Sequence, residues 1–264
     1  MSRYLLKSAD EARSCLKGRD ISLFLDYDGT LTPVAGRPED ARLSFHMKEL
    51  VRMLAGSMPL AIVSGRGLSD IESLVGVDGL AYAGNHGLEA AAPDFTMTYD
   101  IGRAAREELN GLEPALLRLQ ERWKGVIFEN KGVSHTVHYR LLGSRHFPLF
   151  KEEFDTTVAP ALSRGLVRLT QSKRAFEIRA SVKWDKGRAI LWMLERNRFR
   201  GTMPVFIGDD ETDKDAYRAL GPKGLSVHVG CEADEAAFHL IAQDEVKVFL
   251  KLILDTKLGG VLNS

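Results

Sequence analysis

The sequence predicts an α/β protein whose core is a doubly wound parallel sheet, with a small α+β domain inserted into it. Three observations support this. Short apolar runs end in glycine and polar residues, helical patterns lie between those runs, and the middle of the chain changes to alternating, hairpin-like segments. Short runs without alternation suit strands that are buried on both faces. Their alternation with helices is typical of a Rossmann-like sheet.

Five apolar runs predict the strands of the core. They lie at residues 21–25, 58–63, 79–83, 204–207 and 224–229. Between them, apolar residues recur every three or four positions, as at 46–55 and 187–196, which predicts helices. We therefore expect the core to consist of residues 1–100 and 181–264.

The remaining segment, residues 101–180, predicts the inserted α+β domain. Its elements are expected in the order helix, hairpin, helix, hairpin. Apolar and polar residues alternate near residues 133–140, which is typical of an antiparallel sheet with one face open to water or ligand. We expect the first helical stretch, 103–123, to break into two pieces at Pro114, since proline favours the first turn of a helix. The charges of Arg140, Lys173 and Arg179 are expected to be solvated or structural.

The composition limits the function classes. The 264 residues carry 36 basic and 36 acidic side chains, and this balance argues against a nucleic-acid partner. Cys15 and Cys231 form no close-spaced metal pattern and no disulfide framework. No apolar stretch has the length of a signal peptide or a membrane span, so we expect a reduced, soluble, cytoplasmic protein without a membrane partner.

Asp26 and Asp28 follow the first predicted strand, where open α/β sheets bind their ligands. Two like charges held close together repel, unless a cation lies between them or one group is protonated. Taken alone, however, Asp28 followed by Gly29 could equally be a turn signal.

The ends of other strands add further polar groups. GDDETD at 208–213 supplies three more aspartates, and carboxylate oxygens suit Mg²⁺. SGRG at 64–67 opens a helix where a hydroxyl and backbone N–H groups can hold a phosphate, although Ser64 could also be a plain cap. Lys186 could place a cation against that phosphate, and a solvated surface lysine is the alternative.

These motifs stand in the order found in haloacid dehalogenase-like phosphohydrolases: DYDGTL at 26–31, SGR at 64–66, KG at 186–187 and GDDETD at 208–213. With GNHGLE at 84–89, ENKG at 129–132 and FEIR at 176–179, the chain resembles the trehalose-6-phosphate phosphatase family from about residue 23 to 216. Lys214 stands where that family commonly has an acid.

The resemblance implies a Mg²⁺-dependent phosphatase that converts trehalose 6-phosphate to trehalose and phosphate. Asp26 would be the nucleophile that forms an aspartyl-phosphate, and Asp28 the general acid and then base. Mg²⁺ would be held by the Asp26 side chain, the Asp28 backbone carbonyl and Asp209, with Asp213 behind them. Lys186 and Ser64 would neutralise the phosphoryl group.

The resemblance also assigns substrate binding. Arg66 belongs to the phosphate motif, and Glu129, Lys131 and Glu177 match positions that contact glucose hydroxyls. For Glu129 and Lys131, a charged hairpin tip is the alternative. His86 is expected to shape its loop or line the substrate site rather than to act as a base.

Two other functions stay open. The chain could act on a different sugar phosphate, such as sucrose phosphate or a glycosyl phosphoglycerate. It could also be a non-catalytic sugar-phosphate sensor or partner of a synthase, and functional coupling to a trehalose-phosphate synthase is compatible with either role. Sensors on such folds usually lose the nucleophile or metal acids, whereas Asp26, Asp28, Lys186 and Asp209 are all present here.

Overall fold

The computed structural model describes residues 2–35, 37–172 and 174–261, so Lys173 lies outside the described residues. The chain divides into two compact units. The first consists of Met1–Thr98 and Trp184–Ser264, and the second of Tyr99–Lys183. No helix among the described residues combines the length and apolar character needed to cross a membrane.

Among its described residues, the first unit is built on one nine-stranded sheet. Seven strands are parallel, and two more continue one edge as an antiparallel hairpin. In spatial order the strands are β1 (Arg3–Tyr4), β13 (Phe238–Leu240), β12 (Leu225–Val229), β11 (Met203–Gly208), β2 (Ile21–Leu25), β3 (Leu60–Val63), β4 (Ala81–Gly84), β5 (Glu89–Ala92) and β6 (Phe95–Thr98).

Helices cover both faces of this sheet, which confirms the predicted doubly wound fold. Leu23 and Leu25 of β2 belong to a core that includes α1 (Ala9–Leu16), α2 (Phe45–Ser57), α3 (Leu68–Val75) and α8 (Asp244–Val261). Phe24 points to the opposite core, which includes α6 (Lys186–Leu194) and α7 (Lys214–Leu220). Because β2 is buried on both faces, its carboxyl end is fixed within the sheet.

The strands at both edges of the sheet were not predicted. Apart from the buried Ala90, the hairpin β5–β6 is made of half-buried and exposed positions, so it lacks the fully buried run of the central strands. β1 is only two residues long and pairs with β13. Edge strands of this kind depend on the neighbouring strand for their hydrogen bonds, and a single sequence carries little signal for them.

In the part of the second unit that the structure describes, a four-stranded antiparallel sheet packs with two α-helices. Its strands, in spatial order, are β7 (Ile127–Asn130), β8 (Ser134–His138), β10 (Ala175–Ala180) and β9 (Val167–Ser172), and its helices are α4 (Arg103–Arg122) and α5 (Phe147–Ser163). Phe176 of β10 stacks on Phe154 of α5, with ring centroids 4.4 Å apart. The other face of the sheet carries polar side chains, and Thr136 and Glu177 on it are buried rather than open to water.

The predicted break at Pro114 is wrong. α4 continues from Arg103 to Arg122 with Pro114 inside it. The buried positions Ala105, Leu109, Leu112, Leu116 and Leu119 are spaced by three or four residues, so one apolar stripe passes the proline without interruption. Packing of that stripe compensates for the hydrogen bond that proline cannot donate.

Candidate active site

The site is centred on a buried ion cluster at the carboxyl end of β2. The Asp26 backbone N–H donates to the Ile207 carbonyl of β11, 2.9 Å away, so the sheet ladder sets the position of Asp26. The Lys186 ammonium lies 2.7 Å from Asp26 Oδ1 and 2.6 Å from Asp213 Oδ1. All three side chains are buried. The structure therefore shows a buried, doubly paired Lys186 and not a solvated surface lysine.

Asp213 organises the loop after β11. Its Oδ2 accepts hydrogen bonds from the backbone N–H groups of Asp209 and Asp210, each at 2.9 Å. Its Oδ1 is bonded to Lys186, so both carboxylate oxygens are engaged. A Cβ atom on Gly208 would lie 2.4 Å from the Asp213 carboxyl group, so glycine is required there. Asp213 thus fixes the backbone from which Asp209 projects.

Three carboxylates converge in this cluster. One oxygen each from Asp26, Asp209 and Asp213 lies within 4.8 Å of the other two. Burial raises the pKa of Asp26 well above its ordinary value; Lys186 opposes this effect, and the nearby charges of Asp213 and Asp209 reinforce it. Burial alone would lower the pKa of Lys186, but the carboxylates of Asp213 and Asp26 raise it above its ordinary value, which keeps Lys186 cationic. One ammonium group among three carboxylates leaves room for a further positive charge.

The donor set fits Mg²⁺. The ion prefers oxygen ligands, and Asp26 and Asp209 supply carboxylates. A Cβ atom at Gly29 would lie 2.1 Å from Asp209 Oδ2, so only glycine leaves the Asp209 carboxylate its place. Because both oxygens of Asp213 are engaged, Asp213 supports this set from behind. The assignment of the Asp28 backbone carbonyl as a third ligand stays a prediction.

Asp28 does not join the cluster with its side chain. Its two carboxylate oxygens accept a fork of hydrogen bonds from Arg66, at 2.6 Å from Nε and 2.8 Å from Nη2. The third guanidinium nitrogen of Arg66, Nη1, donates to Asp70 at 2.9 Å. The guanidinium also lies 5.6 Å from the centre of the buried Tyr27 ring. The structure therefore brings Arg66, predicted to bind substrate, against Asp28.

Ser64 lies in the loop after β3, which the turn after β4 holds in place. Its hydroxyl is buried and accepts from the Arg66 backbone N–H at 3.2 Å, so the serine caps its own turn. The turn after β4 donates two backbone hydrogen bonds to this loop, from Asn85 to the Arg66 carbonyl and from His86 to the Ser64 carbonyl. A Cβ atom on Gly65 would lie 2.7 Å from His86 Nε2. His86 thus shapes the loop, as expected.

The predicted sugar-contacting residues lie in the second unit. Glu129 on β7 and Glu177 on β10 are each paired with Thr136 on β8, the strand between them. The two glutamates therefore lie on the same face of the sheet. Glu129 is 2.9 Å from His138 and 4.0 Å from the Lys131 ammonium. Glu177 is buried, with one oxygen 3.9 Å from Arg179 Nε.

Comparisons with known proteins show which family the chain belongs to. Residues 24–243 match the family model described as Trehalose-phosphatase. The chain belongs to this family. A relative in Arabidopsis thaliana, trehalose-phosphate phosphatase B, is 32% identical, and the alignment covers 96% of this chain and 71% of the relative.

Solved structures support the fold of this trehalose-phosphatase family member. The C-terminal domain of Candida albicans trehalose-6-phosphate phosphatase superposes with a TM-score of 0.79 at 20% identity, covering 96% of this chain and 98% of that one. A haloacid dehalogenase-like hydrolase from Bacteroides thetaiotaomicron gives 0.62 at 16% identity, covering 88% and 99%. At these identities the likeness concerns the fold alone.

Sequence reasoning missed the contacts of two residues of this trehalose-phosphatase family member, Asp70 and Trp184. Asp70 bonds to Arg66, and their i, i+4 spacing was an available signal. For Arg179, expected to be solvated or structural, the structure shows a side chain buried beside Glu177, so it is not a solvated charge. Trp184 donates to the Gly87 carbonyl at 2.6 Å, a contact between segments 97 residues apart that no local pattern reveals. Lys214, the departure from the family pattern, pairs with Glu211 at 2.6 Å.

Proposed function

We propose that this chain hydrolyses trehalose 6-phosphate to trehalose and phosphate through an aspartyl-phosphate on Asp26. The observation that carries the proposal is the position of Asp26, a buried carboxylate at a strand end, bonded to Lys186 and converging with Asp209. Family membership supports a phosphatase, and the names of the relatives support trehalose phosphate as the substrate.

In the first step an Asp26 oxygen attacks phosphorus, and the bond from phosphorus to the sugar oxygen breaks. Asp28 gives its proton to that oxygen, so trehalose leaves as a neutral alcohol. Lys186 neutralises negative charge on the phosphoryl group, and Ser64 donates its hydroxyl hydrogen bond to it. In the second step water attacks the same phosphorus, and Asp28 takes a proton from that water. The bond from phosphorus to the Asp26 oxygen breaks, which frees phosphate and restores the Asp26 carboxylate.

Asp26 and Asp209 would hold Mg²⁺, and we propose this ion as the cofactor. When bound, it would reduce the repulsion between the Asp26 carboxylate and the anionic phosphate group. The role of the chain is to keep the two carboxylates in place, through the sheet ladder for Asp26 and through Asp213 for Asp209.

We further propose that the second unit selects the sugar, with Glu129, Lys131 and Glu177 bonding to glucose hydroxyls. Charged groups in such positions reject a sugar that leaves them unpaired. We place the reaction in the cytoplasm, coupled to a synthase that supplies trehalose phosphate; the free thiols of Cys15 and Cys231 suit a reducing compartment.

The test is phosphate release from a panel of sugar phosphates with Mg²⁺, run with and without EDTA. The proposal expects trehalose 6-phosphate to be preferred over sucrose phosphate and glycosyl phosphoglycerate, and EDTA to abolish turnover. A preference for another sugar would overturn the substrate. Binding of trehalose 6-phosphate without any phosphate release would favour the sensor.

A further inference from the structure

Arg66 stands in the phosphate-binding motif, yet each of its three guanidinium nitrogens donates to a carboxylate. Nε and Nη2 donate to Asp28 and Nη1 donates to Asp70, so these acids accept from at least three of the five guanidinium N–H groups. While Asp28 and Asp70 are both ionised, before Asp28 takes up the proton that it later donates, one guanidinium and two carboxylates carry a net negative charge. The hydrogen bonds that the structure shows for this guanidinium are thus directed at the two acids.

The hydrogen bonds between Arg66 and Asp28 hold the Asp28 carboxylate in one orientation. A bidentate fork fixes both the plane and the direction of a carboxylate, which a single point charge cannot do. Arg66 is itself held, because its side chain is only 10% exposed, packs over Tyr27 and is anchored by Asp70. Tyr27 in turn donates to the Ala41 carbonyl at 2.7 Å. Asp28, with 36% of its side chain exposed, has no comparable anchor of its own among the described contacts.

The support separates two carboxylates that lie two residues apart. Asp26 belongs to the cluster with Asp209, Asp213 and Lys186, and Asp28 is drawn to Arg66 instead. Without the fork, the Asp28 side chain would be free to rotate toward solvent or toward the acidic cluster. Either rotation would remove the proton donor from the leaving oxygen.

We propose that Arg66 is a positioning residue for Asp28, and not a ligand of the phosphoryl group. The inference rests on the proposed function, in which Asp28 protonates the sugar oxygen. Loss of Arg66 should therefore slow substrates whose leaving group needs a proton. Substrates that leave as a stable anion should be spared.

The experiment measures alcohol release in single turnovers with enzyme in excess, so that only the first step is observed. Trehalose 6-phosphate has a poor leaving group, and p-nitrophenyl phosphate releases a stable phenolate without a proton. The variants are Arg66→Gln, Asp28→Asn and their combination. Arg218→Gln is the matched control, because Arg218 also pairs with two carboxylates, Asp215 and Glu235, but on the surface.

We expect Arg66→Gln to slow trehalose release by about 100-fold, the scale of general acid catalysis, and p-nitrophenolate release by less than about threefold. The double variant should be no slower than Asp28→Asn, because the two residues act as one unit. Arg218→Gln should match the unmodified chain on both substrates. Equal losses of Arg66→Gln on the two substrates, or additive losses in the double variant, would overturn the proposal.

Two further measurements cover the cases in which Arg66→Gln does not fold or the chain does not hydrolyse trehalose 6-phosphate. If Arg66→Gln fails to fold by circular dichroism, Asp70→Asn loosens the same guanidinium from its exposed side. It should then give a smaller loss with the same bias toward trehalose 6-phosphate, and an unbiased loss would contradict the inference. If the unmodified chain hydrolyses p-nitrophenyl phosphate but not trehalose 6-phosphate, the proposed function fails. An aliphatic phosphate that the chain does hydrolyse then replaces trehalose 6-phosphate in the comparison with p-nitrophenyl phosphate. The inference about Arg66 is decided by that comparison, independently of the proposed function.

Discussion

The carboxylate of Asp209 occupies the space beside Gly29 that any other residue would need for its Cβ atom. The distance from that Cβ position to Asp209 Oδ2 is 2.1 Å, and Gly29 has a φ of +90°. A turn residue of the first motif and an acid of the last motif are therefore fitted to each other across the sheet edge.

Replacing Gly29 with alanine should weaken Mg²⁺ binding. The methyl group would displace the Asp209 carboxylate, and disturbed metal ligation typically costs at least about tenfold in affinity. Titration calorimetry of Mg²⁺ without substrate measures the effect. Gly18→Ala is the matched control, because Gly18 also has a positive φ, +71°, but nothing lies within 4 Å of its Cβ position. Equal Mg²⁺ affinities in the two variants would show that the contact is unimportant.

Replacing Lys186 with methionine should destabilise the metal-free protein. The change leaves Asp26 and Asp213 buried without their cation, and breaking a buried pair costs about 3–5 kcal/mol. Urea unfolding in EDTA measures the free energy, and added Mg²⁺ should restore part of it because the ion binds the folded state. Lys214→Met, which breaks a pair with the exposed Glu211, should unfold like the unmodified protein. An unchanged free energy of unfolding in Lys186→Met would contradict the stabilising role of Lys186 in the buried ion cluster.

Replacing Gly65 with alanine should disturb the phosphate loop. Its methyl group would meet His86 Nε2 at 2.7 Å, and a shift of the loop should lower kcat/KM for trehalose 6-phosphate by about tenfold or more. Gly67→Ala, two residues along the same loop, places its methyl group in open space and should behave normally. In a His86→Ala background the added methyl should cost little. If it costs as much there, His86 is not the cause.

His135 should make stability depend on pH. Burial lowers its pKa, although it lies 2.8 Å from the Leu109 carbonyl and 3.1 Å from that of Ser134. Because the unfolded chain takes up the proton at about pH 6.5 and the folded chain only at lower pH, the free energy of unfolding should fall as the pH drops below that value. The slope has an upper limit of about 1.4 kcal/mol per pH unit for one group.

Urea unfolding of His135→Gln between pH 7.5 and 5.5 isolates this contribution. The variant should show a smaller loss of stability than the unmodified chain over that range. The control is His46→Gln, at an exposed position. An identical pH profile for His135→Gln and the unmodified chain would assign the dependence to other groups.

The central strands could be predicted from the sequence because burial on both faces leaves an uninterrupted apolar run, as in residues 21–25. The edge hairpin β5–β6 could not, since its half-buried residues have no such run. The Pro114 prediction failed because a local preference was outweighed by packing along α4. Local patterns give the type of an element, and tertiary contacts decide its limits.

The candidate site shows the same division. The motifs place Asp26, Asp209 and Lys186 at strand and helix ends that a parallel sheet gathers at one edge, so their convergence could be anticipated. The fork between Arg66 and Asp28 joins residues 38 positions apart and depends on side-chain conformations that no spacing rule contains. It therefore appeared only in the structure, and it is the basis of our proposal that Arg66 positions Asp28.

The central claim is that Asp26 is the nucleophile in trehalose 6-phosphate hydrolysis. The most direct measurement is phosphate release by Asp26→Asn with Mg²⁺ and trehalose 6-phosphate, beside circular dichroism to verify the fold. The account predicts that turnover is abolished while the spectrum is unchanged, because the amide keeps the shape of the side chain and loses its nucleophilic charge. Full phosphatase activity in a folded Asp26→Asn protein would contradict it.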